Sequence, residues 1–178
     1  LMFFEIGPVF HGGEPDDQEI LATGILVGHT NSRDVHGERR PVDPFDSKAD
    51  VEAVLKSIGC PTKLMILRDV NTWWHPGRSG KLSLGPKNVL ASFGEIHPKI
   101  LKGMNIKGPV MAFAIHIQNP PFSKLKAKAR SALNISDFQS VQRDFSFIVD
   151  QNIEASILVN AAKGADKSLI KDAYIFDQ

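Results

Sequence analysis

Three side chains near the middle of the sequence, His75, Glu95 and His97, are of types that bind metal ions. Glu95 and His97 stand two apart, which on a strand sets both on one face. A metal centre would need a helical pair of histidines four apart or a third ligand at fixed spacing, and the pattern offers neither. Both histidines precede a proline, and such steps shape turns. Turn architecture is therefore preferred and no metal site is assigned. Arg78 lies between them in the run His75-Pro76-Gly77-Arg78-Ser79-Gly80. A backbone nest joined by a guanidinium can hold a phosphate, although Pro-Gly-x-Ser is also ordinary turn chemistry. Arg78 is thus a candidate surface contact, to protein or to RNA. Trp73 and Trp74 beside it can stack on a base or anchor an interface, or divide into one core and one rim residue. Cys60 sits at a helix end with no His-Asp or His-Asn partner pattern, and a helix C-terminus does not depress a thiol pKa, so no nucleophile is assigned. No catalytic residue is assigned at all.

A second group is basic. Lys124, Lys126, Lys128 and Arg130 put four cations in seven residues. On an extended segment this spacing sets all four on one side, whereas on a helix they spread. Such residues contact phosphates and position a nucleic acid without reading its sequence. A solvated linker is the other reading. Arg143, in Gln142-Arg143-Asp144, either touches RNA or pairs with Asp144 or a neighbouring carboxylate.

The elements that must position these residues follow from periodicity. Residues 1–10 read as a strand with Phe4, Ile6 and Pro8 on one face and Phe3 and Val9 on the other, so a central strand is expected. Residues 19–29 read as a second strand antiparallel to the first. Residues 47–58 read as a helix, with Val51, Val54, Leu55 and Ile58 in one stripe, a capping box at Ser47 and Asp50, and Gly59 to end it. A short strand is expected at 64–67. A hairpin follows: a strand through Leu82 and Leu84, a turn at Gly85-Pro86-Lys87-Asn88, and a strand from Val89 to Ile96. A helical turn is expected at 98–102 and a central strand at 110–117, the most apolar of all. Asn119-Pro120-Pro121 breaks the pattern. Beyond it come a strand at 144–149, a helix at 152–163 closed by Gly164, and a strand at 169–176.

Composition narrows the function classes. The 178 residues allow one domain or two small ones. With a formal charge of +1, nucleic-acid binding must come from a local patch and not from the whole chain. One cysteine excludes an intramolecular disulfide and fits a reducing compartment. No apolar run approaches the roughly 20 residues of a membrane span. The opening residues lack the basic flank and long apolar region of a signal peptide, and a start inside a strand suggests a piece of a longer polypeptide.

Five blocks in order carry a resemblance that spans essentially the whole chain: Phe-Glu-Ile-Gly-Pro-Val-Phe (4–10), Phe-Asp-Ser-Lys-Ala-Asp-Val-Glu (45–52), His-Pro-Gly-Arg-Ser (75–79), Phe-Gly-Glu-Ile-His-Pro (93–98) and Ser-Asp-Phe-Gln-Ser-Val-Gln-Arg-Asp-Phe (136–145). Together they resemble the beta subunit of bacterial phenylalanyl-tRNA synthetase. The resemblance implies an α+β fold. Residues 1–118 would form a class II synthetase-like antiparallel sheet domain with flanking helices, 119–135 a linker, and 136–178 the first half, β-α-β, of a ferredoxin-like anticodon-binding domain. In that fold the third strand lies between the first and second, so unpaired edges are expected where the sequence stops after the second.

The resemblance also implies a division of labour. The sheet domain packs against a catalytic alpha subunit, within a cytoplasmic heterotetramer, and does no chemistry. The holoenzyme uses ATP and magnesium, with neither cofactor held by this piece, which alone should be inactive. A working class II site needs an arginine on a strand for the α-phosphate and a Gly-rich element ending in Glu-Arg; here the first strand offers Glu5 and no arginine, and Gly37-Glu38-Arg39 lies in a polar loop. One departure is Phe113-Ala114-Ile115, where the family often has Phe-Glu-Ile. Tryptophans 73 and 74 with Arg78 become candidates for the alpha-subunit contact, and Lys126, Lys128, Arg130 and Arg143 for tRNA. The alternatives are a standalone RNA-binding or interaction module and a small-molecule ligase on the same sheet.

Overall fold

A computed structural model of the chain describes residues 1–32, 35, 39–61, 63–121 and 137–177. Two compact units divide it, Leu1–Lys128 and Ala129–Gln178. The first is built on six antiparallel strands: β1 (Met2–Phe10), β2 (Gln18–Val27), β3 (Met65–Leu67), β4 (Trp74–Ser83), β5 (Val89–Ile96) and β6 (Val110–His116). Their order across the sheet is β1-β2-β6-β5-β4-β3. Helices α1 (Pro44–Ser57) and α2 (Pro98–Gly103) complete the unit. This is the α+β class, with an antiparallel sheet and flanking helices, that the sequence implies.

Two glycines and three phenylalanines share one row across the sheet. Phe4 pairs with Gly24, Gly24 with Phe113, Phe113 with Phe93, and Phe93 with Gly80. The ring of Phe113 occupies the space a β-carbon on Gly24 would need, only 2.3 Å from such an atom. A neighbouring aromatic thus fills the gap at Gly24, as Phe93 does at Gly80. Over this face Val51 and Leu55 of α1 join Leu82, Leu90, Ala91, Phe93 and Ile115 in the main buried cluster. The Leu82/Ala91 and Ser83/Val89 pairs leave Leu90 as an extra residue on β5. Such a bulge brings consecutive side chains to one side of a strand, which is how Leu90 and Ala91 both enter the core.

Helix α1 starts earlier than the periodicity predicts. Asp43 is the N-cap, its side chain accepting from the backbone N–H groups of Phe45 and Asp46, while Asp46 reaches back to the Asp43 N–H. Pro44 follows at the first helical position, where its missing N–H costs nothing. Ser47, expected as the cap, is instead buried and donates to the Pro44 carbonyl. The buried positions are Ser47, Val51 and Leu55, so the stripe follows a spacing of four, and Val54 and Ile58 lie toward solvent.

The hairpin of β4 and β5 and the interior place of β6 are as expected. The turn between them is held by Ser83, whose hydroxyl donates to the Asn88 carbonyl at 2.8 Å. Asn119, in the segment expected only to break the pattern, donates to the Val89 carbonyl at 2.7 Å and so fastens the exit of β6 to that hairpin. β1 corrects an expectation: it is an edge strand, not a central one. Its two apolar faces remain open, with Phe3 58 % and Phe4 81 % exposed.

In the second unit the expected helix forms as α3 (Ala155–Ala165). It runs through Gly164 and stops at Asp166, whose Oδ1 accepts from Ser168 and Leu169 backbone N–H groups. The flanking segments 144–149 and 169–176 were expected to be strands, and neither belongs to a sheet here. Neither has a ladder partner among the described residues, and a strand without one has no backbone hydrogen bonds to hold it. Phe145 and Phe147 still stack, ring centroids 6.3 Å apart. Among the described residues no helix is long and apolar enough to cross a membrane.

Candidate functional site

Among the described residues the six strands carry one arginine, Arg78. It lies in β4 and not in a free Gly-rich turn, within the stretch where the pairing with β5 is irregular between Trp74 and Ser79. Gly94 of β5 accounts for the close approach there. Its φ is +134°, and a β-carbon on it would lie 2.4 Å from the Arg78 carbonyl oxygen and from Ser79 Cα. Only glycine lets the two backbones meet this way. The Ser79 hydroxyl ties the irregular stretch internally by donating to the His75 carbonyl.

The next residue on β5 is Glu95, buried at 5 % exposure. Arg78 donates from Nη1 to its Oε2 at 3.0 Å, while the arginine side chain itself stays 62 % exposed. A buried carboxylate thus grips one nitrogen of an exposed guanidinium and leaves the rest of the fork free. The pair opens on a cleft of about 500 Å³ whose other walls include Leu101 and Lys102 of α2 and Ile106 and Lys107 of the following loop.

Glu95 is therefore not available to join His75 and His97. The two rings stack at 6.5 Å, but each is committed through Nδ1: His75 accepts from the Gly77 N–H, and His97 accepts from the Lys99 N–H as the N-cap of α2. The first His-Pro step, expected to shape a turn, lies inside β4, and the second starts α2.

The neighbouring tryptophans divide. Trp74 is buried at 4 %, while Trp73 is 48 % exposed, the division into one core and one rim residue that the sequence also offers. Cys60 is buried, and burial pushes its thiol pKa up. Arg143 bonds the Gln142 carbonyl from Nη1 at 2.9 Å. Lys124, Lys126, Lys128 and Arg130 lie outside the described residues, as do Gly37 and Glu38; Arg39 donates to His29 Nδ1 at 3.2 Å. β1 carries Glu5 and no arginine. Among the described residues, the strands offer no arginine other than Arg78 for the α-phosphate of a class II ATP-magnesium site.

One cluster was not legible in the sequence. Glu19 of β2 accepts from His116 Nδ1 and, at 3.1 Å, from His11 Nε2. Burial alone would raise the Glu19 pKa, but the two histidine hydrogen bonds outweigh it and hold the carboxyl below its ordinary range. The partners are 97 residues apart for Glu19 and His116, so only the pairing of β2 with β6 reveals them.

Comparison with known proteins agrees with this geometry. Residues 1–117 match the family described as the phenylalanyl tRNA synthetase beta chain CLM domain. Residues 136–178 match the ferredoxin-fold anticodon binding domain. The phenylalanine–tRNA ligase beta subunit of Cereibacter sphaeroides is 58 % identical over 174 residues, covering 98 % of this chain. That of Ruegeria pomeroyi is 53 % identical over 178 residues and 100 % of this chain, and that of Rhodospirillum rubrum 44 % over 179 residues and 99 %. The chain spans 22 % of the length of each of these relatives. A family match over most of the chain, on a sheet whose single arginine is tied to a carboxylate, places this chain in the phenylalanyl-tRNA synthetase beta chain family.

Proposed function

We propose that this chain is a non-catalytic portion of a phenylalanine–tRNA ligase beta subunit. It gives scaffold contacts to the catalytic alpha subunit and supplies part of the module that holds the tRNA anticodon stem-loop, in ATP-dependent joining of phenylalanine to tRNA. The observation that carries the scaffold reading is β1, a nine-residue edge strand with exposed Phe3, Phe4, Ile6 and Phe10. A long apolar edge is a pairing surface unless something covers it. Trp73 adds an exposed aromatic anchor of the kind that interfaces favour. The sequence expectation adds Arg78, whose free guanidinium edge suits either a protein or a phosphate.

The division into a sheet domain at 1–118, a linker at 119–135 and an anticodon-domain half at 136–178 belongs to this reading, as do tRNA phosphate contacts by Lys126, Lys128, Arg130 and Arg143. ATP and magnesium are held by the alpha subunit, in the cytoplasm, and the chain alone forms no phenylalanyl-adenylate. Sedimentation with and without the separately purified alpha subunit tests the scaffold role. Co-sedimentation that Phe4→Lys weakens is the expected result. A full-length beta subunit that binds alpha equally well with Phe4→Lys would remove β1 from the interface. Adenylate formation by the chain alone would overturn the non-catalytic assignment.

A further inference from the structure

We propose that the cleft over Leu101 and Ile106 is a phosphate-binding subsite, with Arg78 as its bidentate ligand and Glu95 as the residue that positions it. The cleft gathers three cations, Arg78, Lys102 and Lys107, around a single carboxylate. That carboxylate is used up by Arg78 Nη1. Among the described residues neither lysine has a carboxylate within ion-pair distance. A protein carboxylate bound there would neutralise one charge and leave the rest, whereas a phosphate dianion or successive phosphodiesters match the surplus.

The pair of buried Glu95 and exposed Arg78 has the form of a positioning device. Glu95 faces Met111 in the β5–β6 register, where an apolar side chain would hold the strands together as well or better, because burying a carboxylate costs desolvation. What the carboxylate adds is a guanidinium fixed in orientation while mostly exposed. A planar fork held at one nitrogen presents its remaining N–H groups to an oxyanion with little ordering left to lose. Gly94 completes the device by letting the Arg78 backbone lie against β5, directly beside Glu95. Lys102 and Lys107 act as point charges at the rim.

The phosphate could be free or part of an RNA backbone, and the test separates the two sources. It rests on the reading above only for the RNA source. Hydrogen exchange is followed by mass spectrometry in the holoenzyme assembled with the full beta subunit, first with inorganic phosphate and then with tRNA. Phosphate slows exchange in peptides covering 98–109, and this protection is lost in Arg78→Lys and reduced in Lys102→Ala/Lys107→Ala. The lysine variant changes two exposed side chains, so its loss of protection does not report unfolding. Loss of a charge-assisted hydrogen bond raises the phosphate Kd roughly tenfold or more in Arg78→Lys. Protection by tRNA as well, with the slope of log Kd for tRNA against log salt reduced by about 1 in Arg78→Ala, identifies an RNA phosphate. Protection by phosphate alone identifies a free phosphate group. Protection by neither, or protection unchanged in Arg78→Lys, overturns the subsite. If Glu95→Gln binds phosphate as tightly as the parent, the positioning role of Glu95 is overturned.

Discussion

Replacing Gly94 by alanine tests the geometry on which Arg78 depends. The new β-carbon would lie 2.4 Å from the Arg78 carbonyl oxygen and from Ser79 Cα. Both are backbone atoms, so no side-chain rotation relieves the clash. The residue also has φ +134°, a region that side chains rarely adopt. Such a conformation costs about 1–3 kcal/mol, and overpacking adds about 1–3 kcal/mol, giving a loss of about 2–6 kcal/mol. That is a large share of the roughly 5–15 kcal/mol that keeps a domain folded. Tm should fall by something on the order of 10 °C, read by circular dichroism. Gly85→Ala is the matched control. Gly85 also has positive φ, +77°, but nothing lies within 4 Å of its added β-carbon. It should cost only the backbone preference, about 1–2 kcal/mol. Equal losses in the two variants would refute the argument, because they would mean that β4 moves away from β5 without penalty.

Three further outcomes follow from the same structure. The carboxyl of Asp46 is held below its ordinary range chiefly by its hydrogen bonds from Arg40, and that of Glu19 by His116 and His11 against the opposing effect of burial. A depressed folded-state pKa gives stability that is present above the unfolded value, about 4, and is lost as pH falls below it. An acid titration of chemical stability should therefore steepen below about pH 4, and Asp46→Asn with Glu19→Gln should flatten that limb. Asp50 works in the opposite sense, its pKa raised by burial and by Asp46, and softens the slope without reversing it. Asp43→Ala removes the N-cap acceptor of α1 and should cost about 1 kcal/mol in a denaturant melt. Cys60, buried and with a raised thiol pKa, should react with a thiol reagent only as the protein unfolds; rapid labelling of the native protein would contradict its placement in the core.

Much of the local structure is determined by the sequence alone, because it depends on neighbours within a few residues. The hairpin of β4 and β5 follows from alternation around the Gly85–Asn88 turn. The apolar run at 110–117 reads as an interior strand, and β6 takes that place between β2 and β5. The His-Pro step at 97 marks a helix start, and His97 caps α2 through Nδ1. Where local rules competed, the stronger one won at Pro44, which moves the start of α1 ahead of Ser47.

The tertiary structure decided what depends on distant partners. Apolar residues on both faces of β1 predict a central strand, yet it takes the edge: β2 pairs with one side of it, and among the described residues no strand pairs with the other. The segments flanking α3 have strand-like sequences, but a strand exists only through the backbone that pairs with it. Arg78 and Glu95 stand 17 apart, and Glu19 and His116 97 apart, so their pairing comes from register and not from spacing. Sequence could name Arg78 as a residue able to hold phosphate. Only the fold placed a buried carboxylate on one side of it, a glycine beneath it and two lysines across the cleft.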